Sequence, residues 1–268
     1  SLGAVTLVSA AVLTACGGGS STTSSSKDEI NWYLPTEIST LDISKVTDTY
    51  SSIAIGNSGS NLLRRDKNGD LQPDLAAKDI EVSDDGLTYT ATLRDNLKWS
   101  DGSDLTAEDF VYTWQRIVDP KTASEYAYLV SDAHVLNAEE VINGTKSVDE
   151  LGVKADGNKV IFTLSSPSPQ FMSLLSFTNF MPQSKAFVEK TGDDYGTSSD
   201  KALYSGPYTV KDWNGTNGTF TLVKNKYYWD VKDVKNEKVN IQTIKKPDTA
   251  VQMYKDGQLD TASISGTE

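Results

Sequence analysis

Ile30, Trp32 and Leu34 alternate with polar neighbours and stop at Pro35, a spacing that predicts a short half-buried strand. Residues 36–63 are irregular and rich in Ser, Thr and Asn, with a helix expected around Tyr50 to Leu63. The clearest strand places Leu87, Tyr89, Ala91 and Leu93 on one face and Thr88, Thr90, Thr92 and Arg94 on the other. Ile80-Glu81-Val82 pairs with it across the Asp84-Asp85-Gly86 turn. A helix follows with its start signal in place: Thr106 is the N-cap and Asp109 stands three residues on, a capping-box variant. Phe110, Val111, Trp114, Ile117 and Val118 then form one apolar stripe, which Asp119-Pro120 ends. At that spacing the stripe is core, not a cofactor site.

Ser147 to Leu151 repeats the capping pattern with Glu150. Val153 and Ala155, with Val160, Phe162 and Leu164, predict a hairpin around Asp156-Gly157-Asn158, and Tyr208 to Trp213 with Thr219 to Val223 predicts another. The last unit reads as strand, helix, strand. Val239 to Ile244 leads into a helix capped by Asp248 and stopped by Gly257, and Leu259 to Ile264 returns as a parallel neighbour. Mixed strands and helices without a repeat imply an α/β or α+β protein with more than one sheet.

Composition narrows the function more than the fold. Hydrophobic residues are 37% and charged residues 23% of the 268, ordinary values for a soluble protein. A formal charge of -12 argues against a nucleic-acid partner, since phosphate binding needs a basic surface. One cysteine, Cys16, allows no intramolecular disulfide, and one histidine, His134, leaves little material for a zinc site or a hydrolase triad. No Gly-x-Ser-x-Gly or His-Glu-x-x-His run occurs. Asp66-Lys67-Asn68-Gly69-Asp70 fails as a calcium loop, because the glycine comes two places early and position twelve is Ala77; a turn accounts for it better. No catalytic residue, metal or cofactor is expected.

The first residues read as an address and a tether. No charge precedes Lys27, and Leu2 to Leu13 has the length of a signal-peptide apolar core, too short to span a bilayer. Leu13-Thr14-Ala15-Cys16-Gly17 resembles the lipobox of bacterial lipoproteins, which implies a signal peptide over residues 1–15 and a lipid on Cys16. Two acyl chains anchor stably where one is marginal, and the Gly/Ser run to residue 27 would be a flexible linker. Without an initiator methionine before Ser1, and with an end four residues beyond the last expected strand, both ends are expected to be trimmed.

Pro73-Asp74-Leu75-Ala76, then Ser83-Asp84-Asp85-Gly86-Leu87-Thr88-Tyr89-Thr90, Leu97-Lys98-Trp99-Ser100-Asp101-Gly102 and the run from Leu105 to Arg116 form a long gap-free pattern. It resembles the opening signature of the peptide, nickel and dipeptide class of bacterial extracellular solute-binding proteins, family 5. Asp119 to Ala127, Ser205-Gly206-Pro207-Tyr208 through Trp213, and Lys224 to Asp230 are similar to the oligopeptide branch in particular. Read as residues, these motifs are scaffold: turns, caps and core aromatics, not reaction centres.

The resemblance implies a periplasmic-binding-protein-like α/β clamshell of two lobes that closes on its ligand. Residues 28–59 and 185–268 would form lobe I and residues 60–184 an inserted subdomain. The second lobe, which holds the acidic group that captures a peptide's amino terminus, would follow the supplied chain. The implied function is capture of oligopeptides outside the cell for the permease subunits of an ABC importer, by a monomer lipid-anchored on the outer face of a Gram-positive-like cell membrane. A receptor for pheromone or signalling peptides is the alternative on the same fold; a nickel or haem carrier fits less well, and a surface adhesin rests on the anchor alone.

The implied mechanism is backbone pairing of an extended peptide to strand edges, with side chains in hydrated pockets. Val46 to Tyr50 aligns with the family's ligand-facing edge strand, which nominates Thr47, Asp48 and Thr49; these are too polar for core. Thr47-Asp48 departs from the acidic–glycine pair of enterobacterial-like members, so side-chain preference need not carry over. Tyr126 aligns with a cleft tyrosine, Phe177 to Asn179 with a cleft-facing stretch, and Ser263 and Ser265 with polar cleft positions. Tyr126 and Phe177 read equally well as core aromatics. On this reading proline at Thr49 would delete a strand-edge N–H.

Overall fold

A computed structural model describes residues 28–264. Strand β1 (Glu29–Leu34) lies parallel to β10 (Lys238–Thr243), with Ile30 opposite Val239 and Trp32 opposite Ile241. Antiparallel β9 (Thr219–Lys224) and β8 (Tyr208–Lys211) complete a four-stranded sheet in the order β1-β10-β9-β8. The parallel pair therefore joins the two ends of the described chain, not two strands of one crossover unit.

A second four-stranded sheet is antiparallel throughout and ordered β4-β5-β7-β6. It comprises β4 (Glu81–Val82), β5 (Thr88–Thr92), β6 (Val153–Asp156) and β7 (Lys159–Thr163), the expected hairpins. Helix α2 (Ala107–Val118) packs its stripe on this sheet, with Phe110, Trp114 and Ile117 fully buried. Trp114 stacks on Phe180 at 4.3 Å and meets Phe162 edge-on at 5.0 Å. The Asp109 carboxylate accepts from the Thr106 N–H at 3.0 Å and the Trp99 indole at 3.1 Å, so the capping acid is also a core partner. Burial pushes its pKa up, opposed by those hydrogen bonds.

Three expectations are corrected. Helix α1 (Thr49–Ser58) ends five residues before Leu63, which opens strand β2 (Leu63–Arg65). The reason is a backbone crossing: a Cβ on Gly206 would come within 2.5 Å of the Gly59 carbonyl oxygen, and the Gly206 N–H donates to Ser58 O at 2.9 Å. Asp66–Asp70 then turns the chain from β2 into β3 (Leu71–Pro73), with Gly69 at φ +88° and the Asp66 carboxylate accepting two backbone N–H groups.

The second correction concerns residues 259–264, which form no strand. They run beside β1, but only Asp260 makes a backbone rung, its N–H donating to Asn31 O at 2.9 Å. The Asn31 N–H turns to the Asp260 carboxylate at 2.6 Å instead of a carbonyl, which breaks the ladder. Helix α7 (Pro247–Lys255) has Lys246, not Asp248, at its N-cap; Asp248 lies in the first turn, where negative charge suits the helix dipole. Shorter helices α3 (Tyr128–Asp132), α4 (Ala138–Ile142), α5 (Phe171–Leu174) and α6 (Lys185–Thr191) fill the connections.

The buried side chains gather into two main cores. One draws on residues between Leu62 and Phe180, the other on Leu34 to Ile55 together with Met181 to Ile241. Trp229 reaches from the later segment to the first core. Its indole donates to the Asp74 carboxylate at 2.9 Å, and the Arg94 guanidinium lies 3.5 Å from its ring centroid. Burial raises the Asp74 pKa against the hydrogen bond from Trp229 and the charge of Arg64.

Candidate functional site

The site is built around the loop that precedes α1. Asp42 opens it in a two-pronged ion pair with Arg116 of α2, at 2.6 and 2.8 Å, and both side chains are largely buried. Burial works against the Arg116 charge, yet the Asp42 carboxylate holds the guanidinium more firmly protonated than usual. Arg116 also donates to Gln183 at 2.8 Å, and the Gln183 amide donates to Ser44 Oγ at 2.8 Å. The Lys45 and Val46 N–H groups fold back on Asp42 O.

Asn179 is buried, 2% exposed, and donates to Ile43 O at 2.9 Å and Val46 O at 3.0 Å. Its amide is thus committed to the loop and does not face open solvent, contrary to the expected ligand contact.

Thr47 is exposed, and Asp48 takes extended backbone at φ -93° and ψ 150° as the N-cap of α1. The Asp48 carboxylate accepts from the Ser51 N–H at 2.8 Å and Ser39 Oγ at 2.6 Å. Partial burial opposes its charge, but these hydrogen bonds hold its pKa below the ordinary value. Thr49 is the first helical residue. The expected edge strand over Val46 to Tyr50 is therefore absent; the capping carboxylate turns the chain into a helix one residue after Asp48.

One turn along α1, Tyr50 and Ile53 line a cavity of about 390 Å³ with Trp32, Pro35, Lys245 and Ser263. The volume falls within the range of small-ligand sites, roughly 300–1,000 Å³. Ser263 is fixed by its N–H donating to the Tyr33 hydroxyl at 3.2 Å. On the other flank, Tyr126 meets Phe177 edge-on at 5.7 Å and Tyr128 at 6.4 Å. Phe177 is 38% and Tyr128 52% exposed, so this cluster combines core packing with an open aromatic face.

The structure thus joins Tyr126 to Phe177, and through Asn179 connects that pair to the loop ending in Thr47–Thr49. Ser263 lies on the α1 cavity, while Ser265 and Cys16 lie outside the described residues. Sequence reasoning did not nominate Trp32, Tyr50 or Tyr128 for the site. The Asp42–Arg116 pair spans 74 positions and leaves no local pattern. Among the described residues no cluster of three or more His, Cys, Asp or Glu side chains could hold a metal ion, and no helix is long and apolar enough to cross a membrane.

Comparisons bear on what this arrangement serves. The model of bacterial extracellular solute-binding proteins, family 5 Middle, matches residues 70–268. A dipeptide-binding protein of Lactococcus lactis subsp. cremoris is 45% identical over 100% of this chain and 48% of its own length. Listeria monocytogenes OppA bound to peptide superposes with a TM-score of 0.85 at 36% identity, over 88% of this chain and 46% of that one. The substrate-binding domain of an oligopeptide ABC transporter from Bacillus anthracis does so with a TM-score of 0.84 at 41% identity, over 88% and 45%. The chain spans about half the length of the relatives it matches. Its two four-stranded sheets carry the α/β fold of the corresponding part of these clamshell proteins. The chain belongs to the bacterial extracellular solute-binding proteins of family 5.

Proposed function

We propose that the protein containing this chain captures oligopeptides outside the cell and delivers them to the permease of an ABC importer. The observation that carries this reading is the likeness, across nearly all the described residues, to a protein solved with peptide bound. The site suits the role. The Thr47–Thr49 rim is polar, and the aromatic cluster and the α1 cavity offer apolar surface on either side. Such groups hold a ligand without reacting with it, so the protein is a binder and not an enzyme.

Residues 28–59 and 185–268 act as lobe I and residues 60–184 as the inserted subdomain, in keeping with two cores that divide near those positions. A second lobe closes over the ligand. Cys16 carries the lipid that anchors a monomer to the outer face of the membrane, and the Gly/Ser linker lets the domain reach the permease.

Calorimetry of the complete protein with pools of di- to octapeptides and with nickel chloride tests the ligand class. Broad micromolar or tighter peptide binding is expected and no nickel binding; the reverse result overturns the reading. Binding of a single peptide only would mark a dedicated sensor. Cys16→Ser tests the anchor: the protein should appear in the medium, and retention on the membrane would refute lipidation there.

A further inference from the structure

We infer that Asn179 is a positioning residue, which sets the distance between the Tyr126–Phe177 aromatic face and the Thr47–Thr49 rim without touching ligand. The inference rests on the peptide-capture reading and deepens it. Residues 42–48 lie outside helices and strands; the Asp42 and Asp48 carbonyls accept from nearby backbone N–H groups, but those between them have no backbone donor among the described residues and look to side chains for partners. Among the described residues the carbonyls of Ile43 and Val46 have one donor, the Asn179 amide, which serves both.

The donor is itself clamped. Phe180 stacks on Trp114 within the first core, and Met181 O accepts from Thr113 Oγ1 at 2.9 Å. Two residues before Asn179, Phe177 O accepts from the Asn61 amide at 2.9 Å. Segment 177–181 is therefore a rigid spacer, with an aromatic wall at one end and the loop that ends in the rim at the other.

The chemistry explains the residue type. Two carbonyls need two N–H donors from one small planar group, which Asn supplies. Asp would set a charge against both oxygens, Gln would overfill a buried site by one methylene, and Ala would leave both carbonyls unpaired. Freed of that tie, the loop can shift, and the rim with it, although α1 and both cores persist.

The test uses the complete protein, with amide hydrogen exchange and calorimetry against trialanine and pentaalanine. Asn179→Ala should speed exchange at Lys45 and Val46 and weaken both peptides by about tenfold, the scale of one buried hydrogen bond lost. Val160→Ala, a cavity mutation in β7, is the control: it should lower the melting temperature while leaving loop exchange and affinity unchanged. Asn179→Ser, with a shorter polar side chain, replaces the Ala variant if that variant does not fold. Unchanged exchange at residues 42–48 overturns the bracing role, and faster exchange with unchanged affinity overturns positioning. Failure of the wild type to bind any peptide defeats the capture reading and the ligand role of Asn179 together, while the exchange comparison still decides the brace.

Discussion

At the scale of residues, the charges near the site divide into those the fold stabilises and those it tolerates. Asp48 has a lowered pKa, so its contribution is present above the unfolded value, roughly 3.9, and is lost as pH falls through the folded one. Asp48→Ala should lower stability by about 1 kcal/mol at neutral pH, the usual effect of a lost N-cap, and chemical denaturation at pH 7 and pH 3 should show the difference shrink with acid. Asp74 behaves oppositely. With a raised folded pKa, the native state binds its proton more tightly than the unfolded chain, so the wild type gains stability relative to Asp74→Asn as pH falls from the folded value toward about 3.9. Parallel pH titrations of the two proteins' unfolding free energies should diverge in that direction. Arg116→Ala strands a buried carboxylate and should cost about 3–5 kcal/mol in denaturant unfolding.

At the scale of elements, periodicity made β5 and α2 legible because burial on one face alone decides them: Tyr89 and Ala91 point inward, as do Phe110, Trp114 and Ile117. The length of α1 and the fate of residues 259–264 were not legible, because each is decided by a partner far away in sequence. Gly206 crosses the end of α1, and the Asp260 carboxylate competes for the Asn31 N–H. The loop before α1 follows the same rule. The family resemblance nominated Thr47–Thr49 and their polarity agreed with it, but the helix entry at Thr49 depends on Asp48 and Ser39 acting together. That entry also sets what proline does to stability at Thr49. At the first helical position its missing N–H breaks no helix bond and its φ is suitable, so Thr49→Pro should leave the melting temperature within a few degrees of wild type. Gly206→Ala, in contrast, forces a methyl onto the Gly59 backbone and should destabilise by about 1–3 kcal/mol, read as a lower denaturant midpoint at unchanged slope.

At the scale of the whole molecule, the two cores are fastened by the Arg116–Asp42 pair and by Trp229 seated between Asp74 and Arg94. Trp229→Ala should split one calorimetric transition into two, since it removes the indole while sparing both interiors. The parallel pairing of β1 with β10 has a further consequence, in the order of synthesis. Glu29 finds its partner only when Lys238 has left the ribosome, and at about 5–20 residues per second that interval lasts roughly 10–40 s. The core between Leu62 and Phe180 draws its fully buried side chains from its own stretch, with Leu203 and Trp229 packing on it later, and can begin to close meanwhile, while Trp32 and its neighbours stay uncovered. The opening strand of this chain is therefore the last part of its sheet to be sealed, and the interval before closure is when the protein is most exposed to aggregation and proteolysis.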